Sequence, residues 1–145
     1  KYDINDVQKK VLKKFPKMID IAIKNLIEKK FYYQLKKKEK PKYWSQRTPS
    51  DGEIFWNKMT NKQVYNLVRA LTLPYPCAFS YQGNKKIKIM KSKISNLNKY
   101  SKPGSVINKY NNVYVKCKIG YVKIIKISPQ FNNNKNFNLN KIQIN

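Results

Sequence analysis

The sequence predicts an α+β protein with a helical lead-in, followed by one helix packed on a small antiparallel β-barrel, open or closed. Two observations support this. Apolar residues recur at helical spacing in two stretches of the first half. After Cys77 the pattern changes to strict alternation, in short runs that turn residues separate. At 145 residues the chain has room for one domain, or for one small domain and part of another.

The lead-in is predicted as a helix from Asp6 to about Lys30. Asp6 is a residue type that caps helices, and Pro16 predicts a kink or a break into two abutting helices. One face is apolar and the opposite face is rich in lysine, which favours a surface helix that covers a sheet. No apolar run approaches the roughly 20 residues that span a bilayer. The apolar face consists of Val7, Val11, Phe15, Ile19, Ala22, Ile23, Leu26 and Ile27.

A second helix is predicted from Thr60 to about Thr72. Thr60 and Gln63 match a capping box, in which each side chain satisfies a backbone amide of the other residue. The apolar stripe that follows has helical spacing and consists of Val64, Leu67, Val68 and Leu71. Pro74 and Pro76 end the helix and keep the next residues extended.

Five short strands are predicted from alternation and from the turns between them. Gly83-Asn84, Pro103-Gly104 and Gly120 mark turns. The strands are expected at 79–81, 87–89, 105–108, 113–117 and 121–127. The segment 31–46 is interpreted as a lysine-rich linker with an optional strand at 32–33, and 129–145 as a poorly ordered, asparagine-rich tail.

The formal net charge of +25 has two interpretations. It suits nucleic acid or an anionic surface as a partner. It is also expected from a genome rich in A and T, because lysine is far more frequent than arginine here. Cys77 and Cys117 lack the spacing of a zinc site, and two buried free thiols in a cytoplasmic protein are preferred over a disulfide.

Four motifs resemble the C-terminal half of the formyltetrahydrofolate-dependent formyltransferases, a family that includes methionyl-tRNA formyltransferase and the sugar-nucleotide N-formyltransferases. The first is a D-G-x-I-x-W turn, and the second is a helix that ends in R-A. A P-[WY]-P-G-A-[FY] loop and a P-G-[ST]-V-[IL] strand opening follow. In this chain they are Asp51–Trp56, Asn66–Ala70, Pro74–Phe79 and Pro103–Ile107. Cys77 stands where the family usually has glycine, which is a departure if that position needs a special backbone angle.

Arg47-Thr48-Pro49 and the run 78–84 look more like the sugar enzymes, in particular the enzyme that formylates a UDP-linked 4-amino-4-deoxy-arabinose. The resemblance implies that residues 1–46 are the terminal helix and linker of a catalytic domain. It also implies that 47–128 are an OB-like C-terminal domain and that 129–145 are the tail. The formyl donor would be 10-formyltetrahydrofolate, bound by a catalytic domain upstream.

The catalytic Asn-His-Asp group of the family is not expected in this chain, which contains no histidine. We therefore predict no catalytic or cofactor-binding residue here, and no formyl transfer by the chain alone. Arg47, Arg69 and Tyr75 are the candidates for substrate binding. An arginine fork suits phosphate or carboxylate, although a structural ion pair of either arginine, for instance with Asp51 or Glu53, is the alternative.

Two other functions remain open at this point. One is the C-terminal domain of a methionyl-tRNA formyltransferase, whose lysines would contact tRNA phosphates. The other is a free-standing basic β-barrel that binds nucleic acid.

Overall fold

The structure, a computed structural model, describes residues 2–30, 40–109 and 111–128. It divides into two units, one consisting of Asp6–Arg47 and the other of Lys1–Asn5 with Thr48–Asn145. The strand expected at 32–33 and the tail expected after residue 128 lie outside the described residues. Neither helix described below is long and apolar enough to cross a membrane.

Helix α1 spans Ile4–Ile27 and begins two residues before the expected Asp6. The carboxylate of Asp3 accepts a hydrogen bond from the Asn5 amide at 3.0 Å, so Asp3 takes the capping role expected of Asp6. The helix ends where Lys29 adopts a positive φ of 53° and the Lys30 amide bonds back to the Asn25 carbonyl.

Pro16 lies inside this single helix, so the break into two abutting helices is wrong, while the kink stays a prediction. A proline in a helix removes one amide donor, and here the flanking hydrogen bonds continue the helix across it. None of the residues of α1 is buried in the described structure.

Helix α2 spans Asn61–Leu71 and confirms the second predicted helix. The Thr60 amide donates to the Gln63 side-chain oxygen at 2.8 Å, and the Gln63 amide donates to the Thr60 hydroxyl at 3.3 Å. The capping box therefore forms as the sequence predicts. Val64 and Val68 of the apolar stripe are fully enclosed, at 0% and 1% exposure.

Five antiparallel strands form one sheet in the order β1-β2-β5-β4-β3. All five predicted strands are confirmed, and the sheet is open, with β1 and β3 at its edges. The strands are β1 (Ala78–Gln82), β2 (Lys85–Ser95), β3 (Val106–Lys109), β4 (Asn112–Lys116) and β5 (Tyr121–Ile127).

Strand β2 is much longer than expected and organises the sheet. Its first half pairs with β1, from Gln82↔Lys85 to Ala78↔Ile89, and from Ile89 onward it pairs with β5. The register shifts between Ile89 and Ser92. Such a bulge interrupts the alternation of inward and outward residues. The second half of β2 could therefore not be predicted from alternating hydrophobicity in the sequence.

The core lies between α2, the turn before it and one face of the sheet. It contains Ile54, Trp56, Val64, Val68, Ala78, Ile89, Val113, Val115, Cys117, Val122 and Ile124. Cys77 and Cys117 are both free and buried, as predicted. Burial raises the pKa of Cys117 to about 12 and also raises that of Cys77, so both thiols stay neutral and pack as small apolar groups.

Candidate functional site

The first motif, Asp51–Trp56, forms a tight turn that is hydrogen-bonded to β1 at the edge of the sheet. Residues Pro49–Gly52 make one turn of 3₁₀ helix, and the Asp51 carboxylate accepts from the Thr48 amide at 2.6 Å. The Ile54 amide then donates to the Phe79 carbonyl of β1 at 2.8 Å, and the Trp56 indole donates to the Ser80 hydroxyl at 2.8 Å. Trp56 lies in the core, at 7% exposure.

The turn needs glycine at position 52, because a side chain there would come too close to its neighbours. A Cβ at this position would meet the Cys77 carbonyl oxygen at 3.1 Å and a methyl of Leu71 at 3.2 Å. The turn therefore packs directly on the end of α2 and on the proline loop that follows it. We refer to this contact of Gly52 with Leu71 and Cys77 as the Gly52 junction.

The proline loop, 72–77, leads from α2 into β1. The Leu73–Pro74 peptide bond is cis, and the Cys77 amide donates to the Leu71 carbonyl at 2.8 Å. Cys77 has a φ of +68°, in the left-handed region that favours glycine. This position therefore has a special backbone angle, and cysteine adopts it in place of the glycine usual in the family.

Arg69 and Tyr75, two of the three predicted substrate-binding residues, flank this loop in sequence. The Arg69 guanidinium lies over the Tyr65 ring, 5.2 Å from its centroid. Its Nε is buried and has no hydrogen-bond partner within the described residues. Tyr75 is 42% exposed, whereas Phe79, at the end of the same motif, is buried at 3%.

The third predicted residue, Arg47, belongs to the other unit and is exposed. Ion pairs among the described residues include those of Lys24 and Lys30 with Glu28. A structural ion pair of Arg47 or Arg69 stays an open alternative to a substrate role.

A cleft of about 350 Å³ lies beside the Asp51–Trp56 turn. It brings together two motifs that are about 50 positions apart in the sequence. Its lining comprises Glu53, Ile54, Phe55, Trp56, Asn57, Ser80, Tyr81, Pro103 and Gly104. Gly104 opens strand β3 here, at a φ of +87°, and its amide donates to the Lys116 carbonyl.

The residues of this cleft were not identified as a site from the sequence. Both motifs were recognised, but their meeting depends on the long pairing of β2 with β5 and on the loop that returns to β3. The cleft contains one ionisable carboxylate, Glu53, and no basic side chain among its described lining residues.

The fold and these motif contacts define the chain as a formyltransferase C-terminal domain. The model of the formyl transferase C-terminal domain family matches residues 47–141, about two thirds of the chain, and the chain belongs to this family. The bifunctional polymyxin resistance protein ArnA of Wigglesworthia glossinidia brevipalpis is 47% identical over 83 residues. That match covers 57% of this chain and 12% of ArnA.

Solved structures agree on the fold. Crystal structures of two variants of HypX from Aquifex aeolicus superpose with TM-scores of 0.55 and 0.54 at 21% identity. They cover 75% and 73% of this chain and 19% of HypX in each case. The chain therefore spans less than a fifth of the length of these relatives.

Proposed function

We propose that this chain acts as the C-terminal domain of a larger formyltransferase that formylates the amine of a nucleotide-linked amino sugar. The family match and the 47% identity to ArnA support a one-carbon transfer enzyme of the sugar branch. The motif features that favour a UDP-linked 4-amino-4-deoxy-arabinose as acceptor are Arg47-Thr48-Pro49 and the run 78–84.

In this proposal residues 1–46 are the last helix and linker of the catalytic domain, 47–128 are the OB-like domain and 129–145 are a tail. The groups that move protons during the transfer lie in the catalytic domain, because this chain has no histidine for that role. The chain alone then transfers no formyl group. Its two buried free thiols suit the cytoplasm.

The formyl donor in the proposal is 10-formyltetrahydrofolate, bound outside this chain. The cleft does not fit that cofactor, because its described lining offers no basic group for the carboxylates of a folate and presents the carboxylate of Glu53 instead. We therefore assign no residue of this chain to the donor.

The observation that supports a substrate role for this chain concerns the Nε atom of Arg69, which is buried without a hydrogen-bond partner among the described residues. Buried polar atoms in proteins are normally hydrogen-bonded, and the Arg69 Nε has no partner in the described residues. Its guanidinium lies over the Tyr65 ring. A planar cation in this position suits an anionic group of the substrate. We propose that Arg69 binds a phosphate of the nucleotide sugar and that Tyr75 stacks on its base or sugar. Arg47, which belongs to the other unit, stays a separate candidate for binding an anionic group.

The test is a kinetic comparison in the longer protein that contains this chain. Arg69→Lys keeps the charge and removes the planar fork, so KM for the nucleotide sugar should rise about tenfold with kcat unchanged, the signature of lost ground-state binding. Lys62→Gln, an exposed change on the same helix, serves as the control. An unchanged KM in Arg69→Lys would reject the substrate role of Arg69.

A further inference from the structure

The cleft beside the Asp51–Trp56 turn has a local charge opposite to that of the whole chain. Basic residues occupy 32 of the 145 positions, and only seven positions are acidic. None of the nine described residues that line the cleft is basic, and one of them is Glu53. Glu53 is half-buried, and a partly desolvated carboxylate with no basic residue beside it in the lining attracts a cation.

The backbone on both sides of Glu53 is fixed to its neighbours. The Glu53 amide donates a hydrogen bond to the Ser50 carbonyl at 3.1 Å, and the Ile54 amide donates to the Phe79 carbonyl at 2.8 Å. Glu53 also forms an isolated parallel bridge with Phe79. A group on a fixed backbone loses less conformational freedom when it binds a ligand, so the carboxylate is preorganised.

Two aromatic rings of the cleft lining are accessible to a ligand. Phe55 is 44% exposed and Tyr81 is 43% exposed. The Tyr81 ring meets the Phe79 ring edge-on, with 5.7 Å between the centroids and 88° between the planes, and this contact fixes its orientation. The face of an aromatic ring attracts cations, and the Lys58 ammonium already lies 5.4 Å from the centroid of the Phe55 ring. Rings beside a carboxylate suit an organic cation, whereas a metal ion needs several oxygen ligands.

The other polar side chains of the lining favour a cation that carries hydrogen-bond donors. Asn57 and Tyr81 line the cleft and contribute a carboxamide oxygen and a hydroxyl oxygen, which are acceptors. A primary ammonium group has three N–H donors, whereas a quaternary ammonium has none. The Ser80 hydroxyl accepts from the Trp56 indole at 2.8 Å, so this wall of the cleft is already fixed before a ligand arrives.

We propose that the cleft binds a primary ammonium group on an alkyl chain, as a lysine side chain or a polyamine carries it. The Glu53 carboxylate binds the ammonium, and the rings of Phe55 and Tyr81 contact the alkyl chain. A cleft of about 350 Å³ is large enough for such a group.

This ammonium is distinct from the amine that is formylated in the proposed function. A carboxylate beside an amine keeps the amine protonated, and a protonated amine has no lone pair with which to attack a formyl carbon. The cleft is also lined by other residues than Arg69 and Tyr75. The inference therefore goes beyond the proposed function and does not depend on it.

The experiment titrates the ¹⁵N-labelled 145-residue chain with n-butylammonium chloride and, separately, with 1-butanol, a neutral molecule of similar shape. The Trp56 indole N–H and the Tyr81 amide lie at the cleft and report binding in ¹H–¹⁵N NMR spectra. Butylammonium should shift both resonances with a Kd on the order of 1–10 mM. 1-Butanol should bind about tenfold more weakly, because it lacks the charge that the Glu53 carboxylate attracts.

Three variants test the role of charge at the cleft. Glu53→Gln keeps the shape of the side chain and removes its charge, so butylammonium should bind about tenfold more weakly. The control, Glu28→Gln, removes a carboxylate from an exposed position just after α1 and should bind as the parent does. Lys58→Gln removes the cation beside the Phe55 ring, so it should strengthen binding about twofold.

Equal affinity of the parent chain for butylammonium and 1-butanol would overturn the proposal, because the cleft would then recognise only the alkyl chain. This comparison needs no variant, so it holds even if Glu53→Gln does not fold. A folded Glu53→Gln that binds butylammonium as the parent does would also overturn it. Nα-acetyl-lysine amide and spermidine separate the two sources of the ammonium, and tighter binding of either one supports the site and identifies its source.

Discussion

Helices α1 and α2 have similar amphipathic patterns, but only α2 buries residues of its apolar face. Helix α2 encloses Val64 and Val68 completely, whereas α1 is more than twice as long and buries none of its residues. The difference lies in what surrounds them. Helix α2 is fixed at its start by a capping box and at its end by the Gly52 junction, and it packs on the sheet between them. An amphipathic pattern thus predicts a helix, and the neighbouring chain decides whether its apolar face is covered.

The largest expected contrast comes from one substitution made in each unit. Ile124→Ala removes a side chain that is 6% exposed in the core, and it should lower the free energy of unfolding by about 2–4 kcal/mol. Ile23→Ala changes a side chain of α1 that is 51% exposed, and its effect should stay within about 0.5 kcal/mol. Urea unfolding measures both, followed by tryptophan fluorescence, to which the buried Trp56 and the exposed Trp44 contribute. Equal losses would mean that α1 is covered in solution.

A smaller effect is expected where α2 meets the turn. Gly52→Ala should cost about 1–3 kcal/mol, because the added methyl would lie 3.1 Å from the fixed carbonyl of Cys77. The control is Gly83→Asn at the hairpin turn, where nothing lies within 4 Å and asparagine tolerates the positive φ. Its effect on the urea midpoint should be below about 0.5 kcal/mol. An unchanged free energy of unfolding in Gly52→Ala would show that the turn does not pack tightly against the loop.

The smallest effect concerns the cysteine in the proline loop. Cys77→Gly and Cys77→Ala both remove the buried sulfur, but only glycine also relieves the left-handed backbone at φ +68°. The glycine variant should therefore be more stable than the alanine variant by roughly 1 kcal/mol. Thermal unfolding of the two proteins side by side measures this. Equal stability, or a more stable alanine variant, would mean that the backbone angle carries no strain.

Much of the fold could be predicted because its signals are local. The Thr60–Gln63 capping box gave the start of α2, and alternation with turn residues gave all five strands. The errors arose where tertiary context overrides a local rule. Pro16 lies inside one continuous helix and does not divide it, and the bulge near Met90 interrupts the alternation in β2, so the second half of that strand was not predicted.

The candidate site was less predictable, because it depends on residues that are distant in sequence. The departure of Cys77 from a family glycine indicated which backbone position to inspect, and its φ is +68°. The cleft shared by Glu53 and Gly104 could not, since only the order of the strands brings them together. The roles of Arg47, Arg69 and Tyr75 stay predictions.

The most direct test of the central claim is a formyl-transfer assay with 10-formyltetrahydrofolate. It compares the 145-residue chain alone with the same chain fused behind the N-terminal region of the Wigglesworthia ArnA relative. We expect no transfer by the chain alone. We expect the fusion to formylate UDP-linked 4-amino-4-deoxy-arabinose in preference to methionyl-tRNA. Transfer by the chain alone, or a fusion that prefers methionyl-tRNA, would show the proposed function to be wrong.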